Sequence, residues 1–197
     1  MEKLKSSMTN MVIVLVTAAV VTGAILAWVN HITEKPKQLV QQQSLNDDIR
    51  SVMGGKKVRE VSVNTVTKTI GGKSYFFIVH KLMIEPEKVA GWAVESSEMG
   101  FGGKLTVLVG LRDDATILGY AIRQTAETPG LGAKAAAWFQ KGAKGDIIGK
   151  NPKDCNLTVK KDGGDIDAIT ASTITSRAFL KAVSQAAEVV MENNKGK

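Results

Sequence analysis

Cysteine is nearly absent from this chain, which has one, Cys155, in 197 residues. A single thiol excludes an internal disulfide, and it excludes an iron–sulfur cluster held by the usual four thiolates. Histidine is as scarce: His31 and His80 are the two, a poor donor set for zinc. Any redox chemistry must therefore come from an organic cofactor. Cys155 itself reads as a small buried strand residue rather than a reactive thiol. Aromatic residues make up 5% of the chain, and they scarcely interleave with the densest basic region, Lys134, Lys141, Lys144, Lys150, Lys153, Lys160 and Lys161. Single-strand binders stack bases on aromatic rings, so no nucleic-acid partner is expected. The net charge of +7 reads instead as a solvated face, one that also suits anionic lipid or an acidic partner.

Charge is missing altogether from Ser6 to Asn30. Within that stretch Met8–Val29 reads MTNMVIVLVTAAVVTGAILAWV, long enough as a helix to cross a hydrocarbon core of about 30 Å at about 1.5 Å per residue. A secretory signal has a shorter apolar region and a small-residue cleavage site, which Ala24-Ile25-Leu26-Ala27 imitates poorly. Trp28 suits an interfacial anchor. Lys3 and Lys5 before the span nearly balance Lys35 and Lys37 after it, so the flanking charges do not decide orientation. The short stub favours an inside N-terminus. The expected layout is a cytoplasmic stub over residues 1–7, an uncleaved anchor over 8–32, a helical stalk over 33–56 closed by Gly54-Gly55, and one domain over 57–197.

That domain opens with segments of β-branched and aromatic residues: 58–66 (imperfectly alternating), 74–83, 89–96, 104–111 and 116–124. Gly71-Gly72, Gly100–Gly103 and Asp113-Asp114 supply the turns, and turns this short imply an antiparallel meander. An Ala-rich helix over 134–141 and a further strand over 156–161 follow. A final helix over 172–193 carries apolar residues at 174, 178, 179, 182, 183, 186, 187, 189 and 190, a face that should pack on the sheet. The class is α+β.

Three loops hold more glycine or hydroxyl than turning requires. MGFGGK (99–104) fails both the dinucleotide and the phosphate-loop patterns and reads as a bulged hairpin. GDIIGKN (145–151), outside these three, also fails, lacking the Ser or Thr after its Lys that would ligate magnesium. AETPGLGAK (126–134) places Pro129-Gly130 at the centre of a type II turn, with Glu127, Thr128 and Lys134 converging on a helix start. The third loop, DIDAITASTITS (165–176), crowds Thr170, Ser172, Thr173, Thr175 and Ser176 ahead of the last helix. Thr170 and Ser172 could cap it. Capping explains Thr173 poorly, and unpaired amides at a helix start favour a phosphate.

DAITASTITS resembles the flavinylation motif D-x-x-[ST]-G-A-T-x-[ST]. ETPGLGAK, GFGGKLTVLVGL and the single N-terminal span recur in the same order in the same family. The chain is thereby similar to the G subunits of Rnf electron-transport complexes and, more distantly, to the C subunits of sodium-pumping NADH:quinone reductases. The resemblance implies FMN bound covalently through its phosphate to Thr173. It implies that Glu127, Thr128, Leu131, Gly132 and Lys134, with Thr170, Ala171, Ser172, Ile174 and Thr175, bind the cofactor. Asp167 would belong to the segment recognised by a flavin transferase, which uses FAD and magnesium. The core departs from the family's usual S-G-A-T, because Ala171 stands where a Gly is usual and Ser172 where an Ala is. A left-handed backbone at Ala171 would be less comfortable than at Gly.

Implied partners are the other membrane and peripheral subunits of the complex, the flavin transferase during maturation, and membrane lipid. The implied place is the bacterial inner (plasma) membrane, single-pass, with the C-terminal domain on the extracytoplasmic side. Such a chain carries electrons without independent catalysis, inside a complex that couples ferredoxin–NAD⁺ electron transfer to ion movement. Two other classes use the same loops: a membrane-anchored module binding a phosphorylated ligand for sensing or assembly, and a freestanding flavin reductase. The sequence offers no acid–base pair for the last.

Overall fold

The computed structural model describes residues 8–70, 72–85 and 89–195. The expected stub, residues 1–7, lies outside the described residues, as does Gly71 of the expected Gly71-Gly72 turn. The elements run α1 (Met8–Val52), β1 (Lys57–Ile70), β2 (Lys73–Glu85), β3 (Val89–Met99), β4 (Lys104–Arg112), β5 (Ile117–Gln124), α2 (Ala135–Trp138) and α3 (Thr173–Lys195). The chain divides between Asn46 and Asp47 into two units.

In the first unit, Met8–Glu34 is long and apolar enough to cross a membrane. Its large side chains are exposed, Leu15 at 72% and Trp28 at 67%. A helix in lipid must satisfy its polar groups internally. The hydroxyls here do so: Thr17 donates to the Ile13 carbonyl, Thr22 to Ala18 and Thr33 to Val29, each at 2.7 Å.

The second unit is built on a five-stranded sheet in the order β1-β2-β3-β4-β5, every neighbouring pair antiparallel. This is the expected meander. The imperfect alternation of the first segment has a cause, since register slips between Glu60 and Ser62 and makes Val61 a bulge. α3 covers one sheet face, where Val94, Val107, Val109, Leu180, Val183 and Ala187 meet in the core. Phe179 stacks on Phe139 at 4.3 Å and meets Tyr120 edge-on at 4.7 Å.

The structure corrects the sequence in four places. The stalk does not end where the domain begins, because the second unit starts at Asp47 and buries Ile49, Val52 and Met53. These residues lie on the other sheet face, where three strands carry glycine. A Cβ at Gly110 would stand 2.2 Å from the Val52 carbonyl oxygen, one at Gly119 2.6 Å from it, and one at Gly91 2.5 Å from Met53 Cε.

Residues 156–161 are not a strand. The Asn156 carbonyl accepts from the Thr158 and Asp165 amides while its own amide donates to the Asp165 carboxylate, and Lys160–Asp162 form a 3-10 turn with one isolated bridge from Val159 to Ile166. The free edge of β5 is already covered, since Ile117 bonds to Lys150 and Gly149 to Ile117. Cys155, accordingly, sits half-buried in a bend rather than in a strand. Burial raises its pKa, which keeps the thiol protonated and unreactive.

The Ala-rich helix is one turn long and follows a 3-10 turn over Gly132–Lys134. The Tyr120 hydroxyl donates to the Ala135 carbonyl at 2.7 Å and accepts from the Phe139 amide at 3.2 Å. It thus intercepts the i→i−4 bond that would carry the helix onward. Burial pushes the Tyr120 hydroxyl's pKa upward, so it remains a donor.

Candidate functional site

Three segments converge on one cavity of about 390 Å³, lined by Phe101, Glu127, Thr128, Leu131, Gly132, Ala171, Ser172, Thr173, Ile174 and Thr175. The first is the β3–β4 connection, closed by the Gly100 amide on the Gly103 carbonyl at 2.8 Å. The second is the turn after β5. There the Leu131 amide reaches the Thr128 carbonyl at 3.2 Å and Gly130 has φ 77°, the type II turn that Pro129-Gly130 predicts. The third is the start of α3. Its first intrahelical bond is Ser176 N to Ser172 O at 3.0 Å, which leaves the amides before it without a helical acceptor.

The five crowded hydroxyls fall into three groups. Ser176 is fully buried and holds the helix start together: its Oγ accepts from the Ile169 amide and donates to the Ser172 carbonyl, both at 2.9 Å. Thr175, 1% exposed, donates to Glu127 Oε2 at 2.9 Å. Thr170 is exposed and does not line the cavity. Ser172 and Thr173 do line it, and among the described residues neither hydroxyl has a hydrogen-bond partner. Neither Thr170 nor Ser172 makes the expected capping bond, and Ser176 instead ties the helix to the turn before it, leaving the first-turn amides uncapped. Thr173 is half-buried and faces across the cavity to Thr128, an exposed threonine whose hydroxyl is likewise unpaired among the described residues.

Of the other residues that the resemblance nominated, Lys134 is exposed and outside the lining. Asp167 lies outside as well; its carboxylate pairs with Lys160 Nζ at 2.7 Å and its carbonyl accepts from Trp138 Nε1 at 2.9 Å. Ala171 has φ 61°, the left-handed conformation its position demands, in a turn closed by the Ser172 amide on the Ile169 carbonyl at 3.0 Å. The sequence reading missed Phe101. Its signal was an aromatic side chain in a glycine-rich loop, and its ring is 72% exposed beside Leu131 and Ile174, themselves 42% and 50% exposed.

An FMN-binding domain model matches residues 100–188, the span from the Phe101 loop through most of α3. The G subunit of an ion-translocating oxidoreductase complex from Vibrio atlanticus is 40% identical over 123 residues, 59% of this chain and 56% of that protein. The G subunit of the proton-translocating ferredoxin:NAD(+) oxidoreductase complex of Clostridium ljungdahlii is 32% identical over 182 residues, 90% of this chain and 88% of that protein. The chain belongs to this G-subunit family. Another G subunit, from Methanosarcina acetivorans, is 27% identical over 184 residues, 92% of this chain and 94% of its own length. For a G subunit the cavity has a fitting donor set for FMN: exposed apolar side chains for the ring system, and free hydroxyls and helix-start amides for the phosphate.

Proposed function

We propose that the chain is a membrane-anchored electron carrier whose FMN is esterified through its phosphate to Thr173, within an Rnf-type complex joining ferredoxin and NAD⁺ to ion translocation. The flavin supplies reversible electron acceptance. The chain's own residues bind and place it: Thr173 tethers it, the first-turn amides of α3 face its phosphate charge, and Phe101, Leu131 and Ile174 offer apolar surface to its rings. Attachment is a transfer from FAD by a flavin transferase. The Thr173 oxygen bonds to the FMN phosphorus, the pyrophosphate bridge breaks, AMP leaves, and the hydroxyl proton is released. A tethered cofactor cannot diffuse away, which suits one stop in a series of centres. The Met8–Glu34 segment would anchor the chain in the cytoplasmic membrane, with the domain on the extracytoplasmic side.

The observation that carries this reading is the sorting of the hydroxyls. The threonine at the acceptor position lines the cavity with its hydroxyl unpaired, at the helix start, while its neighbours Thr175 and Ser176 are engaged elsewhere. Coexpression with a flavin transferase, denaturation and peptide mapping test it. One FMN on the peptide containing Thr173, at Thr173 itself, is expected. A colourless chain would favour a module for a phosphorylated ligand, and FMN on Ser172 would move the chemistry by one residue. For orientation, a cysteine replacing the exposed Ser74 in a Cys155→Ala background should react with an impermeant thiol reagent in cells with a permeable outer envelope. Labelling only after lysis would place the domain in the cytoplasm.

A further inference from the structure

Glu127 presents a carboxylate that is 8% exposed and that has no cation within ion-pair distance among the described residues. Both of its oxygens are occupied. Oε1 accepts from the Phe101 amide at 2.8 Å and Oε2 from the Thr175 hydroxyl at 2.9 Å. Both are also roofed by glycine backbone: an added Cβ at Gly100 would stand 2.0 Å from Oε1, and one at Gly132 2.4 Å from Oε2 and 2.8 Å from Thr175 Oγ1. No side chain other than hydrogen fits at either position without displacing the carboxylate. A buried carboxylate held this way is expensive to desolvate, and its geometry leaves little of it to offer a ligand.

We propose that Glu127 is a positioning residue, a latch that ties the Phe101 loop to the first turn of α3 and so holds the Thr173 hydroxyl and the Phe101 ring on one cavity. Thr175, two residues beyond Thr173, is the other half of the latch. The proposal rests on the reading of Thr173 as the flavin-bearing residue. It also accounts for the hydroxyl two places after the acceptor and for glycine at 100 and 132, none of which a direct carboxylate–flavin bond requires.

The test separates position from charge. In E127Q the amide oxygen can accept from the Phe101 amide while the amide nitrogen donates to Thr175 Oγ1, so the connection survives and only the charge is lost. T175S keeps the hydroxyl; E127A and T175V break the latch. The full-length chain is incubated with flavin transferase, FAD and magnesium, and covalent labelling is followed by intact mass. E127A and T175V should label about tenfold or more slowly, as expected when a buried hydrogen bond is removed. E127Q and T175S should stay within about twofold of wild type, and the attached flavin of E127Q should keep the wild-type absorption spectrum and midpoint potential. The E127A/T175V double variant should be no slower than E127A, which already removes both bonds of the connection.

T175V labelled at the wild-type rate, E127Q as slow as E127A, or additive losses in the double variant would overturn the latch while leaving attachment at Thr173 standing. A wild-type chain that takes no flavin at Thr173 would overturn both. If E127A and T175V fail to fold, E127Q and T175S still decide: normal labelling and an unshifted spectrum support the latch, and impairment of either contradicts it.

Discussion

Beside the first turn of α3 lies a cavity of about 390 Å³, and along the next turns of the same helix lies another of about 410 Å³, lined by Cys155, Leu157, Val159, Arg177, Leu180 and Lys181 among others. In size they are nearly equal. In chemistry they differ, because the charged groups of the second are paired with one another or with neighbours, and of its hydroxyls only that of Ser184 is unpaired among the described residues. Arg177 grips Asp162 with two bonds of 2.7 Å, and Lys181 reaches Glu98 at 2.7 Å and the Tyr75 hydroxyl at 3.1 Å. Thr158 donates to Asn156 at 3.0 Å. The first cavity keeps three hydroxyls unspent, those of Thr128, Ser172 and Thr173, while Thr175 is bonded to Glu127. Volume does not distinguish these regions; unsatisfied, positioned chemistry does.

The comparison can be broken most completely by loosening the packing of α3, the helix that both cavities border. Phe179→Ala takes away a ring stacked on Phe139 and set edge-on to Tyr120. It should destabilise the fold by about 3–5 kcal/mol, read as a lowered denaturant midpoint, with both cavities lost together. Next in size is Ser176→Ala, which touches the first cavity alone. It strands the buried Ile169 amide and should cost about 1–3 kcal/mol, accompanied by weaker flavin attachment. The opposite sign is expected at Ala171. Its left-handed φ of 61° costs about 1–2 kcal/mol, and glycine there loses more chain entropy on folding, about 0.4–1 kcal/mol. Ala171→Gly should therefore stabilise by a few tenths to about 1 kcal/mol, seen as a raised Tm with labelling retained.

The smallest effect belongs to the second cavity. Hydrogen bonds from Arg177 hold the Asp162 carboxyl below its ordinary pKa of 3.8. A depressed carboxyl contributes stability above that ordinary value and loses it as pH falls through the lower folded value. Arg177→Ala should thus lower Tm slightly at neutral pH, with the gap to wild type closing as the pH falls below about 3.8. The pair is exposed to solvent, so salt should shrink the difference further. Flavin attachment should not change.

Much of the meander was legible because β-branched runs punctuated by short turns leave few alternatives, and the type II turn because Pro-Gly fixes it. The place of Thr173 on the cavity and the left-handed backbone at Ala171 were legible through the motif they resemble. What escaped was set by distant partners. Nothing local to Ala135–Lys141 announces that the Tyr120 hydroxyl will interrupt the helix. Glycines 91, 110 and 119 look like ordinary strand interruptions until Val52 and Met53 come to lie on them. Residues 156–161 have strand composition but no open edge to join. The partners of Glu127 escaped too, since Phe101 and Thr175 stand 26 and 48 positions away.

The central claim is that Thr173, and no neighbouring hydroxyl, carries the flavin. Its most direct measurement is the intact mass of Thr173→Val beside wild type, each coexpressed with a flavin transferase, with Thr170→Ala and Ser172→Ala as companions. Valine keeps the shape and the β-branch and removes the nucleophilic oxygen. The account predicts one covalent FMN on wild type, Thr170→Ala and Ser172→Ala, and none on a folded Thr173→Val. A full complement of FMN on Thr173→Val, or its loss from Ser172→Ala alone, would contradict it.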